Sequence, residues 1–127
     1  MALDFGSART GVALSDPTGT LARPLGVVEG ASTESGLAEV ARLAREEDVE
    51  RIVVGLPLTL RGTRGEQAAE TERFVEALRR TVDVPVELYD ERFTTDLAQQ
   101  TAGTAPEDAL AAAHLLSTYL EWCAARS

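Results

Sequence analysis

The N-terminal third of the sequence carries three strand-like runs that lie too close together for anything but tight turns between them. The runs span residues 1–6, 10–16 and 21–29, and Gly and Pro mark the turns that separate them. Antiparallel strands can be joined by such short turns, whereas parallel strands need a crossover of about a dozen residues. The chain is therefore predicted to begin with an antiparallel meander. Pro24 favours an edge position or a bulge for the third run.

Helices and strands alternate in the rest of the chain. The spacing of apolar and capping residues predicts helices over about 33–48, 66–82, 94–102 and 105–126, and strands over 51–57 and 84–91. The compact apolar run 51–57 is typical of a buried parallel strand. The order predicts a single α/β domain over residues 1–127, built on a five-stranded mixed sheet with helices on both faces. The fourth and fifth strands are predicted to run parallel to the first.

The composition indicates a folded protein without internal cross-links. Hydrophobic residues make up 44% of the chain, which is enough for a core and argues against disorder. Cys123 is the only cysteine, so an internal disulfide is impossible, and no Cys/His cluster suggests zinc. No apolar run approaches the about 20 residues that span a bilayer, and the N-terminus lacks the pattern of a secretory signal. We therefore expect a soluble cytoplasmic protein.

The net charge of −9 argues against a general nucleic-acid-binding protein, whose usual footprint is basic. All 12 basic residues are arginine, which suits bidentate phosphate contacts, although genomic base composition explains the bias better. The acids concentrate in residues 45–50 and 65–76, which have the pattern of solvated helix faces. The negative total therefore need not describe every surface.

Carboxylates occur at three positions where each alone has an ordinary structural explanation, so that only their combination suggests a site. Asp4 interrupts the first strand, although strands disfavour Asp and a buried carboxylate requires a partner or a metal. Capping of the following turn is the alternative for Asp4. Asp90 and Glu91 end the last strand, where an ordinary exit to solvent is the alternative. Asp108 lies in the first turn of the final helix, where the helix dipole alone favours an acid.

These acids converge if the first and last strands are parallel. Both strands then place carboxylates at the end of the sheet where open α/β sheets bind ligands. The small residues that follow Asp108 let the final helix approach that sheet closely. Together the acids suggest a divalent-metal site with oxygen ligands, of the kind that binds Mg²⁺ and phosphate groups and cleaves phosphodiesters.

Four segments together resemble the signature blocks of one family. They are "LDFGSARTGVALSD", "VVGLPLTLRGT", "YDERFTT" and "EDALAAAHLLSTYLE". Their order and approximate spacing are similar, over nearly the whole chain, to those of the YqgF family. That family is also called RuvX, and it comprises pre-16S rRNA nucleases and Holliday junction resolvase-like proteins. The combination is specific, whereas any one block alone is not.

The resemblance implies a ribonuclease H-like fold and a nuclease that depends on Mg²⁺ or Mn²⁺. It also implies that Asp4, Glu91 and Asp108 are the catalytic metal ligands, with Asp90 as an alternative ligand or a support for one. The implied activity is 5′-end maturation of 16S rRNA, with junction resolution as the older proposal. The implied partner is structured RNA or branched DNA, not a membrane, and we expect a monomer or a weak homodimer.

The sequence departs from the family pattern in two places. Family members usually carry a few more residues before the first Asp, so the first strand is short here and the chain is expected to begin slightly earlier. The family's longer, often Lys-containing loop before the last helix is reduced to residues 103–107. This second departure removes a basic contact with the substrate.

Five further residues are candidates for contact with nucleic acid. Gly6 brackets the first turn together with Gly11 and could let a phosphate approach the backbone, but a hairpin turn that requires glycine explains at least one of the two. Arg9 lies in the same turn, and an exposed turn arginine without a role is the alternative. Arg61 and Arg64 precede a helix N-terminus, a natural anion site. Arg92 follows the acids at the end of the last strand and could pair with an acid or contact the substrate.

Functions of other classes are also compatible with part of the pattern. A non-catalytic nucleic-acid-binding module would keep the fold, but it has no need of three converging acids. The first hairpin also resembles that of actin-like ATPases, but the chain is too short for the two lobes that clamp ATP. His114 and the aromatic residues Tyr119 and Trp122 are interpreted as packing or surface residues rather than ligands.

Overall fold

The computed structural model describes residues 1–6, 8–16, 21–56, 65–90 and 107–126. Residues 107, 108, 125 and 126 are described by their backbones alone. Asp90 is likewise described by its backbone. The strands are β1 (Ala2–Asp4), β2 (Arg9–Ser15), β3 (Ala22–Glu29), β4 (Ile52–Leu56) and β5 (Val86–Asp90). The helices are α1 (Glu34–Glu46), α2 (Glu66–Arg79) and α3 (Glu107–Arg126). The predicted helix 94–102 lies outside the described residues.

The described strands form one mixed sheet in the order β3-β2-β1-β4-β5. The pairs β1–β2 and β2–β3 are antiparallel, whereas β1–β4 and β4–β5 are parallel. The predicted meander and the predicted parallel strands are therefore confirmed. The strand that contains Pro24 lies at an edge, and its register with β2 shifts between Val12 and Ala13.

Helices cover both faces of the sheet, as predicted. Leu3, Val12 and Val54 point from the sheet into a core that includes Val40 of α1 and Phe74 of α2. The alternate strand residues point to the other face and pack against α3, as in the cluster of Ala2, Ala13, Val53, Leu115 and Leu116. Two helices on one face and one on the other give the ribonuclease H-like arrangement that the resemblance implied.

Small side chains let α3 lie close to the sheet. Ala109 and Ala112 are completely buried, and Ala113 is nearly so. The helix packs across β1, β2 and β3. Within the part of the chain that the structure describes, no helix has both the length and the apolar character needed to cross a membrane.

The first residue takes part in the sheet through its backbone. The Met1 amine donates to the Arg51 carbonyl over 3.0 Å, and the Met1 carbonyl accepts from the Val53 N–H over 2.9 Å. Burial lowers the pKa of this amine from its ordinary value of 8.0 to about 6, because the charged form loses hydration.

For a chain with a free amine at Met1, we expect stability to rise with pH across this range. Below pH 6 the amine is charged in both the folded and the unfolded chain, and burial of that charge destabilises the folded state. Above pH 8 the amine is neutral in both states, and this destabilisation is absent. The free energy of unfolding should therefore increase by about 2 kcal/mol between these limits. Urea unfolding at pH 5.5 and 8.5 measures the change.

Acetylation of Met1 is the matched control for this pH dependence. The acetylated nitrogen keeps an N–H for the Arg51 carbonyl but carries no titratable charge. The difference between the free and acetylated chains isolates the amine from all other groups. The same pH dependence in both chains would show that the amine has no part in it.

Candidate active site

Asp4 and Asp90 lie at the same edge of the sheet. Asp4 is the last residue of β1 and Asp90 the last of β5, with the parallel strand β4 between them. Leu3 pairs with Val54, and Val54 pairs with Leu88, so Asp4 is level with Tyr89, one residue before Asp90. Two strand spacings separate β1 from β5, which is about 10 Å. The predicted placement of acids at the carboxyl ends of parallel strands holds for these two backbone positions.

The side chain of Asp4 belongs to the face of the sheet that α3 covers. Successive strand residues point to opposite faces, and Ala2 packs in the α3 cluster whereas Leu3 packs in the other. Asp4 follows the parity of Ala2 and is half-buried. On β5, Tyr89 packs in the same α3 cluster, so this face carries both residues at the same level of the sheet.

Glycines flank Asp4 on both neighbouring strands. Gly11 of β2 is its antiparallel partner. Gly55 of β4 follows Val54, the partner of Leu3, and is therefore the next residue beside β1. Because glycine has no side chain, neither strand neighbour places a side chain beside the Asp4 carboxylate. Gly55 is not among the predicted site residues, although it stands in the segment "VVGLPLTLRGT" that carries the resemblance.

The turn between β1 and β2 explains Gly6 by packing. A Cβ at Gly6 would lie 2.4 Å from the carbonyl oxygen of Arg9, which no side chain tolerates. The carbonyl of Ala8 in this turn accepts from the Gly30 N–H over 3.0 Å. Glycine is thus required by the turn itself, and its predicted contact with phosphate stays a prediction.

Arg9 begins β2 at the edge that carries Asp4. It is exposed and has the same strand parity as Gly11, the partner of Asp4, so both side chains belong to the α3 face. The acidic run 45–50 begins in the last turn of α1 and continues beyond it. Helix α1 packs on the opposite face of the sheet. Arg9 and the acidic run therefore lie on different sides of the sheet, and the predicted grouping of Arg9 with Arg61, Arg64 and Arg92 stays a prediction.

A polar cluster fixes α3 near the amino ends of β4 and β5. The Tyr119 hydroxyl accepts from Arg51 Nη1 over 2.9 Å and donates to the Glu87 carboxylate. Arg51 directly precedes β4, and Glu87 is the second residue of β5. The helix start lies well away from this cluster, because Asp108 precedes Tyr119 by eleven residues, or about 16 Å along the axis.

The aromatic residues at this end of α3 act in packing, as interpreted from the sequence. The ring of Tyr119 meets that of Tyr89 edge-on at 5.5 Å. Trp122 lies 5.9 Å from Tyr89 and stays partly exposed. Tyr89 thereby links this packed cluster to the strand end where Asp90 lies.

The remaining predicted site residues are only partly covered by the structure. Glu91, Arg61, Arg64 and Arg92 lie outside the described residues. Asp108 and Asp90 are described by their backbones alone. Within the described ranges, no three Asp, Glu, His or Cys side chains are grouped to hold a metal ion. The three-carboxylate site therefore stays a prediction, in which Asp4 is the carboxylate with a described side chain.

Comparison with known proteins gives the family. The model of the RuvX family, described as Holliday junction resolvase, matches residues 1–122. A protein of Chloroflexus aggregans is 42% identical over 95% of this chain and 92% of its own length. A Roseiflexus protein is 45% identical over 79% of this chain and 71% of its own, and one from Syntrophomonas wolfei is 35% identical over 95% and 92%. All three bear the name "Putative pre-16S rRNA nuclease". This chain belongs to the RuvX family.

Proposed function

We propose that this protein is a cytoplasmic, metal-dependent nuclease that cleaves pre-16S rRNA during maturation of its 5′ end. The observation that carries the proposal is Asp4, a half-buried carboxylate at the carboxyl end of a central strand, flanked by Gly11 and Gly55. The carboxyl ends of parallel strands are the usual ligand-binding edge of α/β sheets. The names of the relatives support RNA as the substrate.

Asp4, Glu91 and Asp108 are the residues that would hold Mg²⁺ or Mn²⁺. Carboxylate oxygens are the ligands that these hard cations prefer, and the flanking glycines place no side chain beside Asp4 that would compete with an ion. When bound, the metal stabilises the charge that develops on the phosphodiester oxygens. The protein's part is to hold Asp4 rigidly, since β1 is paired on both sides.

Glu91 is preferred to Asp90 as the second carboxylate for a reason of parity. Alternation along β5 places Glu87, through its bond with Tyr119, and Tyr89 on the α3 face. Glu91, two residues after Tyr89, has the same parity in the sequence, whereas Asp90 has the opposite parity. Asp90 remains the alternative ligand of the proposal.

Arg9 would bind a phosphate of the substrate beside the metal site. Arg9→Ala is expected to weaken RNA binding and to reduce the slope of log K against log[salt] by about 1, because one phosphate contact is lost. Fluorescence anisotropy of a labelled RNA between 50 and about 200 mM salt gives both quantities. Arg42→Ala on α1 removes the same charge from the opposite face and should leave the slope unchanged. An unchanged slope for Arg9→Ala would remove Arg9 from the interface.

The function itself is tested on two substrates side by side. Purified protein is incubated with an RNA that spans the precursor–mature 5′ boundary and with a four-way DNA junction, each with Mg²⁺, with Mn²⁺ and with a chelator. We expect cleavage of the RNA with either metal and none with the chelator.

The family description favours junction resolution as the second candidate function. Cleavage of the junction but not of the RNA, with symmetric cuts in two strands, would support that candidate and overturn the first. Symmetric cleavage requires a two-fold dimer. Sedimentation of the protein bound to the junction therefore provides an independent test, because it shows whether two copies bind. Binding without cleavage of either substrate would identify a non-catalytic binding module.

A further inference from the structure

The proposed metal ligands lie on elements that are held in place in different ways. The ends of β1 and β5, where Asp4 and Asp90 lie, are fixed relative to each other because both strands pair with β4. Helix α3 carries Asp108 in its first turn and packs on the sheet through apolar side chains, such as those of Ala112 and Leu116. Apolar contact is non-directional, so it resists separation of a helix from a sheet better than it resists a tilt of the helix. The tilt of α3 therefore depends on its directional contacts.

The hydroxyl of Tyr119 provides two such contacts. It accepts from Arg51 Nη1 over 2.9 Å and donates to the Glu87 carboxylate. Both partners are charged, which strengthens a hydrogen bond, and Tyr119 is only 6% exposed, so little water competes for its hydroxyl. Arg51 directly precedes β4 and Glu87 belongs to β5, with 3.7 Å between Arg51 Nη1 and Glu87 Oε1. The hydroxyl is thus held both as acceptor and as donor by residues of two neighbouring strand segments.

Tyr119 extends the contacts of α3 to the far side of the sheet. The helix packs mainly across β1, β2 and β3, whereas β5 forms the opposite edge of the described sheet. Besides the bond to Glu87, the ring of Tyr119 meets that of Tyr89 edge-on. Tyr89 directly precedes Asp90. One side chain of α3 therefore contacts β5 both near its start and near the end that carries the proposed ligands.

The first turn of α3 is sensitive to the angle at which the helix is held at Tyr119. About 16 Å of helix separates Tyr119 from Asp108. At that distance, a tilt of about 5° about Tyr119 moves the start of the helix by about 1.4 Å. Side chains that bind a metal must be held to within about 0.5 Å of their working geometry. A small loss of constraint at Tyr119 is therefore enough to misplace Asp108 with respect to Asp4.

We propose that Tyr119 is a positioning residue of the metal site, whose hydroxyl sets the tilt of α3 and thereby the position of Asp108 relative to Asp4. Arg51 and Glu87 act through this hydroxyl, and none of the three residues touches the metal or the substrate. The inference rests on the proposed function, because Asp108 has a metal to bind only if that function is correct. It gives a part in metal binding to a cluster at the opposite end of the sheet from the active site.

Tyr119→Phe tests the inference, because it keeps the ring and removes only the hydroxyl. We expect the dissociation constant for Mn²⁺, measured by calorimetry without RNA, to rise about tenfold. That factor is the lower end of the range for residues that hold metal ligands in place, since Tyr119 acts over about 16 Å. Thr118→Val is the matched control, because it removes a neighbouring hydroxyl that donates to the His114 carbonyl within α3 itself. The control should keep the parent's dissociation constant.

Substitutions of Glu87 test the same bond from the strand, and Glu87 is partly exposed, so they leave the core intact. Glu87→Gln keeps an oxygen that accepts from the Tyr119 hydroxyl and should bind Mn²⁺ as the parent does. Glu87→Leu removes the acceptor and should raise the dissociation constant about tenfold. Because the two residues act through one bond, Tyr119→Phe combined with Glu87→Leu should bind Mn²⁺ about as weakly as either single variant. Equal losses in Glu87→Gln and Glu87→Leu would show that the charge of Glu87 attracts the cation, and would overturn the inference.

Melting temperatures and RNA cleavage separate the inference from its alternatives. A lower melting temperature of metal-free Tyr119→Phe with the parent's Mn²⁺ dissociation constant would give the hydroxyl a packing role only, and would overturn the inference. If the parent also cleaves the precursor RNA, the proposed function stands in that case. Tenfold weaker Mn²⁺ binding by Tyr119→Phe, in a parent that cleaves neither RNA nor junction, would support the positioning role and overturn the nuclease. A parent that binds no Mn²⁺ overturns both.

Discussion

Asp4→Asn is expected to lower nuclease activity more than about 100-fold. Mutation of residues that only hydrogen-bond to metal ligands already lowers activity by up to about 100-fold, and Asp4 is proposed to bind the metal directly. The amide keeps the size of the carboxylate and can still accept a hydrogen bond, but it loses the negative charge that a divalent cation requires. The activity is measured on the precursor RNA with saturating Mg²⁺ and again with Mn²⁺. Asp4 is the proposed ligand on the sheet's central strand.

The same substitution should not destabilise the metal-free protein. In the proposed site, Asp4, Glu91 and Asp108 repel one another when no metal is bound, and the amide removes one of these charges. The melting temperature without metal should therefore be at least that of the parent. Added Mg²⁺ or Mn²⁺ should raise the melting temperature of the parent more than that of the variant, because a ligand stabilises the state that binds it.

Asp48→Asn is the matched control for Asp4→Asn. Asp48 is exposed after α1, has a positive φ of 53° that asparagine also tolerates, and lies away from the α3 face. It should keep the parent's activity and metal response. Full activity of Asp4→Asn, or a markedly lower melting temperature without metal, would make Asp4 a structural turn residue and remove it from catalysis.

Local signals were sufficient to predict the architecture. Tight turns between three strands required a meander, and the apolar run that became Ile52–Leu56 required a buried parallel strand. The predicted start of the first helix, near residue 33, is confirmed by its cap, since the Thr33 Oγ1 accepts from the Gly36 N–H over 3.1 Å. The predicted ends of helices and strands were less accurate, because the turns that follow them continue the same sequence pattern. The predicted helix 66–82 ends at Arg79, and the N–H groups of residues 81 and 82 both bond to the Leu78 carbonyl in a closing turn.

The surroundings of the site could not be predicted from local patterns. Gly55 adjoins Asp4 because β4 pairs with β1 in one particular register, and a register between strands some fifty residues apart has no local signal. The same holds for the stacking of Phe5, the residue after Asp4, on Phe74 of α2. Gly6 was ambiguous for a different reason, since a glycine in a turn looks the same whether a phosphate or a carbonyl oxygen lies against it.

Gly36→Ala should strongly destabilise the fold, although the change raises helix propensity by about 1 kcal/mol. Gly36 is buried in the first turn of α1. A Cβ there would lie 1.9 Å from the Gly30 carbonyl oxygen and 2.6 Å from the Ala31 Cα, and both are backbone atoms. The Gly30 carbonyl cannot withdraw freely, because Thr33 donates to it from its hydroxyl over 2.6 Å and from its N–H over 2.9 Å. Relief of the clash would break the cap of α1.

The expected loss for Gly36→Ala is about 3 kcal/mol in the free energy of unfolding, the upper part of the range for overpacked sites. Urea unfolding followed by circular dichroism measures it, with Gly26→Ala as the control, because a Cβ at Gly26 meets nothing within 4 Å. That control should stay within about 0.5 kcal/mol of the parent, as surface substitutions usually do. Since α1 packs on the face opposite to Asp4, the folded fraction of Gly36→Ala should cleave RNA at the parent's rate. A variant as stable as the parent would mean that the turn before α1 yields by more than an ångström without losing its hydrogen bonds.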